Sequence, residues 1–179
     1  MNIFFCDIIG TFYENEIDEN EIKKLIKNIN ELANIDNVDK TIFSFVSSEN
    51  IEYVSSFVEI LKNFLNDRII LGMQFSSNYI MEQGNMIEIS NESKSDQILY
   101  ALKNNDIENI YFADDMLINH LMVNNLINEI CPNMKIINII PGTVINEENM
   151  IGTKEKGLFG VNKILNGYIE KSMNVTKTH

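Results

Sequence analysis

Five side chains carry the chemistry this sequence can offer: Asp7, Ser47, Lys94, Asp114 and Asp115. Each stands at the end of a short apolar run or at the start of an amphipathic one, where a chain reversal brings functional groups to one edge of a sheet. A carboxylate at such a strand end can attack phosphorus and carry it as an acyl phosphate. Carboxylates crowded together repel and need a cation. Asp7 with Asp114 or Asp115, completed by the Ile9 carbonyl, offers the hard oxygen ligands that suit Mg²⁺. The Ser47 hydroxyl can hydrogen-bond a phosphoryl oxygen, and Lys94 can offset the charge of both nucleophile and transferring group. Gly10 opens a backbone conformation closed to other residues, so its amide and that of Ile8 could approach a phosphate.

The elements that must position these groups alternate along the chain. Strand-like apolar blocks are expected at Asn2 to Cys6, Thr41 to Val46, Arg68 to Leu71, Asn109 to Phe112 and Lys135 to Ile140, of the kind buried on both faces of a parallel sheet. Amphipathic helices lie between them. The first is expected from Glu19 to Ala33, with Asp18 and Glu21 as a capping-box variant, and the second follows Ser48 as N-cap. Ile98, Leu99 and Leu102 mark a third helix, Leu117, Leu121, Ile127 and Ile130 a fourth, and Leu158, Val161, Leu165 and Ile169 a fifth. Strand-helix alternation predicts a doubly wound, mainly parallel sheet between two helical layers, with ligands at the carboxyl ends of the strands. The whole chain, 1–179, reads as one domain. Residues 78–89 interrupt the alternation as a hairpin around Gln83-Gly84-Asn85, the one candidate for a small lid.

The run Ile3-Phe4-Phe5-Cys6-Asp7-Ile8-Ile9-Gly10-Thr11 resembles the nucleophile loop of the haloacid dehalogenase-like (HAD) hydrolases, an apolar strand followed by Asp-x-Asp-Gly-Thr. Ser47 at the end of the second strand, Lys94 before a helix, and Ala113-Asp114-Asp115 after an apolar strand twenty positions further on fall in that family's order. The resemblance implies a three-layer α/β/α sandwich without a large cap domain. It also implies a Mg²⁺-dependent phosphohydrolase or phosphotransferase working through an aspartyl-phosphate on Asp7. In that scheme Asp7 and Lys94 are catalytic, Ser47, Gly10 and Thr11 bind the substrate, and Asp7, Ile9, Asp114 and Asp115 hold the metal. The chain departs from the pattern at Ile9, where most phosphatase branches carry the Asp that serves as general acid and base. It departs again at Ile118, where an additional acid is common, although Asn119 beside it could orient a metal-bound water. Substrates with good leaving groups, such as acyl phosphates, are therefore expected. The alternative is a catalytically inactive protein of the same fold that serves as an acidic protein-interaction module. Plainer roles stay open for single residues: Asp7 and Ser47 as turn or helix caps, Lys94 as a solvated lysine, Asp114 or Asp115 as the cap of the following helix.

Composition narrows the partners. Twenty-six acidic against fourteen basic residues give a net charge of −12, which repels phosphate backbones and anionic lipid, so neither nucleic acid nor membrane is an expected partner. A phosphorylated small molecule or a phosphoprotein is, with a protein partner for the acidic run from Glu14 to Glu21. Arg68 is the lone arginine, so phosphate must be held by Lys, backbone amides or metal. Cys6 and Cys131 form no pair of useful spacing, and no basic leader or bilayer-length apolar run is seen, which together point to the cytoplasm. His120 is expected to be exposed, and neither it nor His179 has a partner for nucleophilic or zinc chemistry. Gly142, Gly152, Gly157 and Gly160 read as turns.

Overall fold

The computed structural model describes residues 1–89 and 93–178, with side chains as far as Asn174; His179 lies outside the described residues. In chain order the elements are β1 (Asn2–Cys6), α1 (Glu19–Asp36), β2 (Thr41–Phe45), α2 (Ile51–Lys62), β3 (Ile69–Leu71), β4 (Gln74–Phe75), β5 (Tyr79–Glu82) and β6 (Asn85–Glu88). There follow α3 (Lys94–Lys103), β7 (Asn109–Ala113), α4 (Leu117–Ile130), β8 (Lys135–Pro141), β9 (Thr143–Asn146), β10 (Met150–Thr153) and α5 (Gly157–Thr178).

Every residue of β1 and β2 is buried, because both faces of these strands are covered. Alternate side chains divide between two cores. Phe4, Cys6, Phe43, Phe45, Tyr111 and Ile139 face α1, α2 and α5 on one side. Ile3, Phe5, Ile42, Ile110, Phe112 and Ile136 face α3, α4 and the small sheet on the other. The result is the expected three-layer α/β/α sandwich. Its seven-stranded sheet has the order β3-β2-β1-β7-β8-β10-β9, parallel throughout except for β9 at the edge. The chain winds outward from β1 to β2 and β3, then returns to the other side of β1 as β7. The crevice at the carboxyl end of β1 and β7 is thus the point where the winding reverses, where such sheets hold ligands. Register does the rest: Cys6 pairs with Phe45 on one side and Ala113 on the other, so Asp7 emerges level with Val46 and Asp114.

Local chemistry sets the helix boundaries. Asp18 caps α1 by accepting the Glu21 N–H at 3.2 Å, and the helix runs a turn beyond Ala33 because Asn37 takes the left-handed conformation that closes it. The cap of α2 is Asn50, whose side chain accepts the Tyr53 N–H, in place of the expected Ser48. Ser93 caps α3, which makes Lys94 its first helical residue.

Residues 74–88 form a separate three-stranded antiparallel sheet, β4-β5-β6, turned at Gln83 and Gly84, both at positive φ. Among the described residues no large cap is inserted. The expectations for the carboxyl-terminal third need two corrections. Of the four glycines read there as turns, Gly142 is one, whereas Gly152 lies within β10 and Gly157 and Gly160 within α5. Gly152 is required by packing: a Cβ there would run into the Thr143 carbonyl of the neighbouring strand. In α4 the buried residues are His120, Val123, Asn124 and Ile127, while Leu121 and Ile130 are exposed. The apolar spacing misplaces that face because two of its buried positions are polar.

Candidate functional site

Asp7 leaves β1 with its main-chain N–H donated to the Ala113 carbonyl at 2.9 Å, a bond that continues the β1–β7 ladder one step past the strands. The chain then folds back on itself through Gly10, held at φ +83°. Glycine is required here twice over. A side chain is disfavoured at that φ, and its Cβ would collide with the Asp115 carboxylate, which lies over the turn. Thr11 completes the loop from below: its hydroxyl lies 3.5 Å from Asp7 Oδ2 and accepts the Asp115 N–H at 3.1 Å. Fully buried, it joins the two acidic loops.

At the centre, Lys94 Nζ lies 2.6 Å from Asp7 Oδ1 and 2.7 Å from Asp114 Oδ2. Asp114 is wholly buried; its Oδ1 accepts the Met116 N–H at 2.8 Å and its Oδ2 also accepts from Asn119 Nδ2 at 3.0 Å. Asn119 thus braces a carboxylate. Asp115 is half-buried, and one ligand oxygen from each of Asp7, Asp114 and Asp115 lies within 4.8 Å of the others. Two of the three converging carboxylates, Asp7 and Asp114, therefore share one ammonium. Burial lifts the Asp7 pKa from 3.8 to about 7, reinforced by the Asp114 charge and opposed by Lys94. Burial works against the Lys94 ammonium too, but Asp114 and Asp7 outweigh it and raise its pKa. A donor set of crowded, partly desolvated carboxylate oxygens fits a hard cation, and the cluster could hold a metal ion.

Ser47, fully buried at the end of β2, accepts the Glu49 N–H at 3.0 Å, which turns the chain towards α2. Its carbonyl is tied to α3 by Gln97 Nε2 at 2.9 Å. That tie fixes the β2 loop relative to Lys94. A cavity of about 500 Å³ opens over the cluster; Asp7, Ser47, Lys94 and Asp115 line it, and so do Ile9, Met116 and Met122 beside several serines. Gly10 and Thr11 lie in the loop beneath it rather than in its lining. None of β5 or β6 lines it either, so the hairpin expected as a lid does not reach this cavity.

His120 corrects the sequence reading. Instead of being exposed it is fully buried, with Nε2 2.7 Å from the Asp114 carbonyl and Nδ1 2.8 Å from Asn138 Oδ1, its ring packed on Phe112. Asn138 is fixed by Asn124 and by the Asn149 carbonyl. These polar residues anchor the loop bearing Asp114 to β8. Spacing alone could not find them, because Asn138 is eighteen residues away in sequence. Asp114 and Asp115 do not cap α4: the capping position is Met116, with no side-chain bond.

The sequence matches no protein-family model and no curated protein. The structure is similar to the crystal structure of YhjK, a haloacid dehalogenase-like hydrolase protein from Bacillus subtilis. The TM-score is 0.53 at 14% identity, covering 94% of this chain and 88% of that one. The fold is therefore that of the haloacid dehalogenase-like hydrolases. No described helix is long and apolar enough to cross a membrane.

Proposed function

We propose that this chain is a Mg²⁺-dependent phosphohydrolase or phosphotransferase that works through an aspartyl-phosphate on Asp7 and suits substrates with good leaving groups. One observation carries the reading. Asp7, Asp114 and Asp115 converge within 4.8 Å at the switch point of the sheet, with Lys94 bridging the first two. Asp7, Asp114 and Asp115, with the Ile9 carbonyl, would hold the Mg²⁺, which when bound supplies positive charge that screens the nucleophile from the phosphoryl oxygens.

In the first step an Asp7 carboxylate oxygen forms a bond to phosphorus as the bond from phosphorus to the leaving oxygen breaks. Lys94 offsets the charge on both sides, and Ser47 donates to a phosphoryl oxygen. The leaving oxygen takes the electron pair. With Ile9 where an acid would stand, that position supplies no proton to it, so a carboxylate or phenolate departs readily and an alkoxide does not. Loss of a general acid costs about 10²- to 10⁴-fold. In the second step water, or an acceptor hydroxyl, attacks phosphorus; Asp7 is released as carboxylate and the proton passes to solvent. That step also lacks the base that an acid at position 9 would supply, so the phosphorylated form is long-lived.

Ile9 lines the cavity, so Ile9→Asp adds a carboxyl to the cavity wall that could serve the leaving oxygen. With Mg²⁺ it should raise turnover of an alkyl or aryl phosphate, while Asp7→Asn abolishes it. No change in either variant would sink the catalytic reading. The same substitution, Ile9 for an acid, favours a second reading: a catalytically inactive acidic module that binds a protein partner, a phosphoprotein among them. Calorimetric titration separates the two, since binding of Mg²⁺ and then of beryllofluoride supports phosphoryl chemistry and silence supports the module. The cytoplasm is the proposed location, since Cys6 is a buried free thiol and no disulfide forms among the described residues.

A further inference from the structure

We infer that the leaving-group side of this cavity selects an uncharged, apolar body, which narrows the substrate class to phosphoric anhydrides or esters of apolar acids or phenols. The inference rests on the phosphoryl-transfer reading above. Three large apolar side chains of the lining are about half exposed and free to meet a ligand: Ile9 is 44% exposed, Met116 52% and Met122 47%. All three border the same cavity as Asp7 and Lys94. They come from two different elements, the loop after β1 and the start of α4, so they wall the cavity rather than form one stripe of a helix. Unbranched methionine adapts its shape to whatever packs on it and makes favourable contacts with aromatic rings.

Charge excludes the alternatives. Among the described residues lining the cavity Lys94 is the only basic one, and its ammonium is already shared between Asp7 and Asp114. A cation held by Asp7, Asp114 and Asp115 would serve the transferring phosphoryl group. A second anionic group on the substrate would find no cation, and would meet Glu49 and Asp115, which border the same space. Nucleoside diphosphates, bisphosphates and phosphorylated di-acids are therefore disfavoured by the walls that favour an apolar body. The cavity, about 500 Å³, accommodates a phosphate together with a body of the size of a phenyl ring or a short acyl chain.

Non-cleavable phosphonates separate this inference from the chemistry. With Mg²⁺ present, calorimetry on the intact chain should show phenylphosphonate binding about tenfold tighter than methylphosphonate, because part of the ring is buried against Ile9, Met116 and Met122. Phosphonoacetate, with its extra carboxylate, should bind about tenfold more weakly than methylphosphonate. Met122→Lys, at an exposed helical position that lysine suits, should reverse the order of phenylphosphonate and phosphonoacetate. Equal affinity for all three phosphonates, or no change of order in the variant, overturns the inference and leaves the phosphoryl-transfer site standing. Absence of binding by all three overturns both.

Discussion

Replacing Asp7 by Asn should stabilise the metal-free protein while destroying its activity. Asp7 is 7% exposed, and burial with the Asp114 charge holds its pKa at about 7 against 3.8 in an unfolded chain. A carboxyl raised in this way costs nothing where both states are protonated. Its penalty grows as pH rises through 3.8 and is complete above about 7, so stability is lost with rising pH across that window. Three units at about 1.4 kcal/mol each set a ceiling of about 4 kcal/mol at pH 8. The asparagine also gives up a charged partner of Lys94, which still keeps Asp114 at 2.7 Å, so a net gain of about 2 to 4 kcal/mol is expected. In thermal unfolding that is at least about 4 °C for a chain of this length. The measurement is the stability difference between wild type and Asp7→Asn from pH 5 to 8, without divalent cations. The difference should rise by about 2 kcal/mol over that range. A variant less stable than wild type at pH 8, or a difference independent of pH, would refute the reasoning.

Lys94→Met leaves three converging carboxylates with no ammonium, so the metal-free variant should lose about 3 to 5 kcal/mol in urea denaturation and recover part of it when Mg²⁺ is added. His120→Ala should cost about 2 to 4 kcal/mol, because it opens a void beside Phe112, removes the side-chain partner of the Asp114 carbonyl and takes one of its partners from Asn138. Burial holds the His120 pKa below 6.5, so its contribution to wild-type stability is full above that value and lost as pH falls through it. The acid-side decline in the melting temperature should therefore flatten in His120→Ala. Gly10→Ala forces a side chain into positive φ and against Asp115, so it should weaken Mg²⁺ affinity measured by calorimetry at least tenfold and cost about 1 kcal/mol or more of stability.

The parts of this fold that sequence makes visible are those whose signal is local. β1 and β7 are apolar after their first residue, and β2 and β8 mostly so, because they are covered on both faces, and Asp7, Ser47 and Asp114 are conspicuous because polarity follows where their runs stop. The first helix is announced by Asp18 and Glu21. What stayed hidden depends on residues far apart. β9 at the edge and β10 beside it are short strands of mixed exposure, and Gly152 within β10 looks like a turn until the Thr143 carbonyl is seen against it. The burial of His120 and Asn124 makes sense only once β8 delivers Asn138. Likewise, nothing in the spacing tells that Thr11 joins the Asp7 loop to Asp115 instead of facing the cavity, or that Gln97 ties the β2 loop to α3.

The central claim is that Asp7 receives a phosphoryl group. Incubating the protein with acetyl phosphate and Mg²⁺, quenching, reducing any acyl phosphate with borohydride and locating the product by mass spectrometry tests it directly. The account predicts conversion at Asp7 alone, dependent on Mg²⁺, absent in Asp7→Asn, and more persistent in wild type than in Ile9→Asp. Modification at another residue, or none at Asp7 with the metal present, would contradict it.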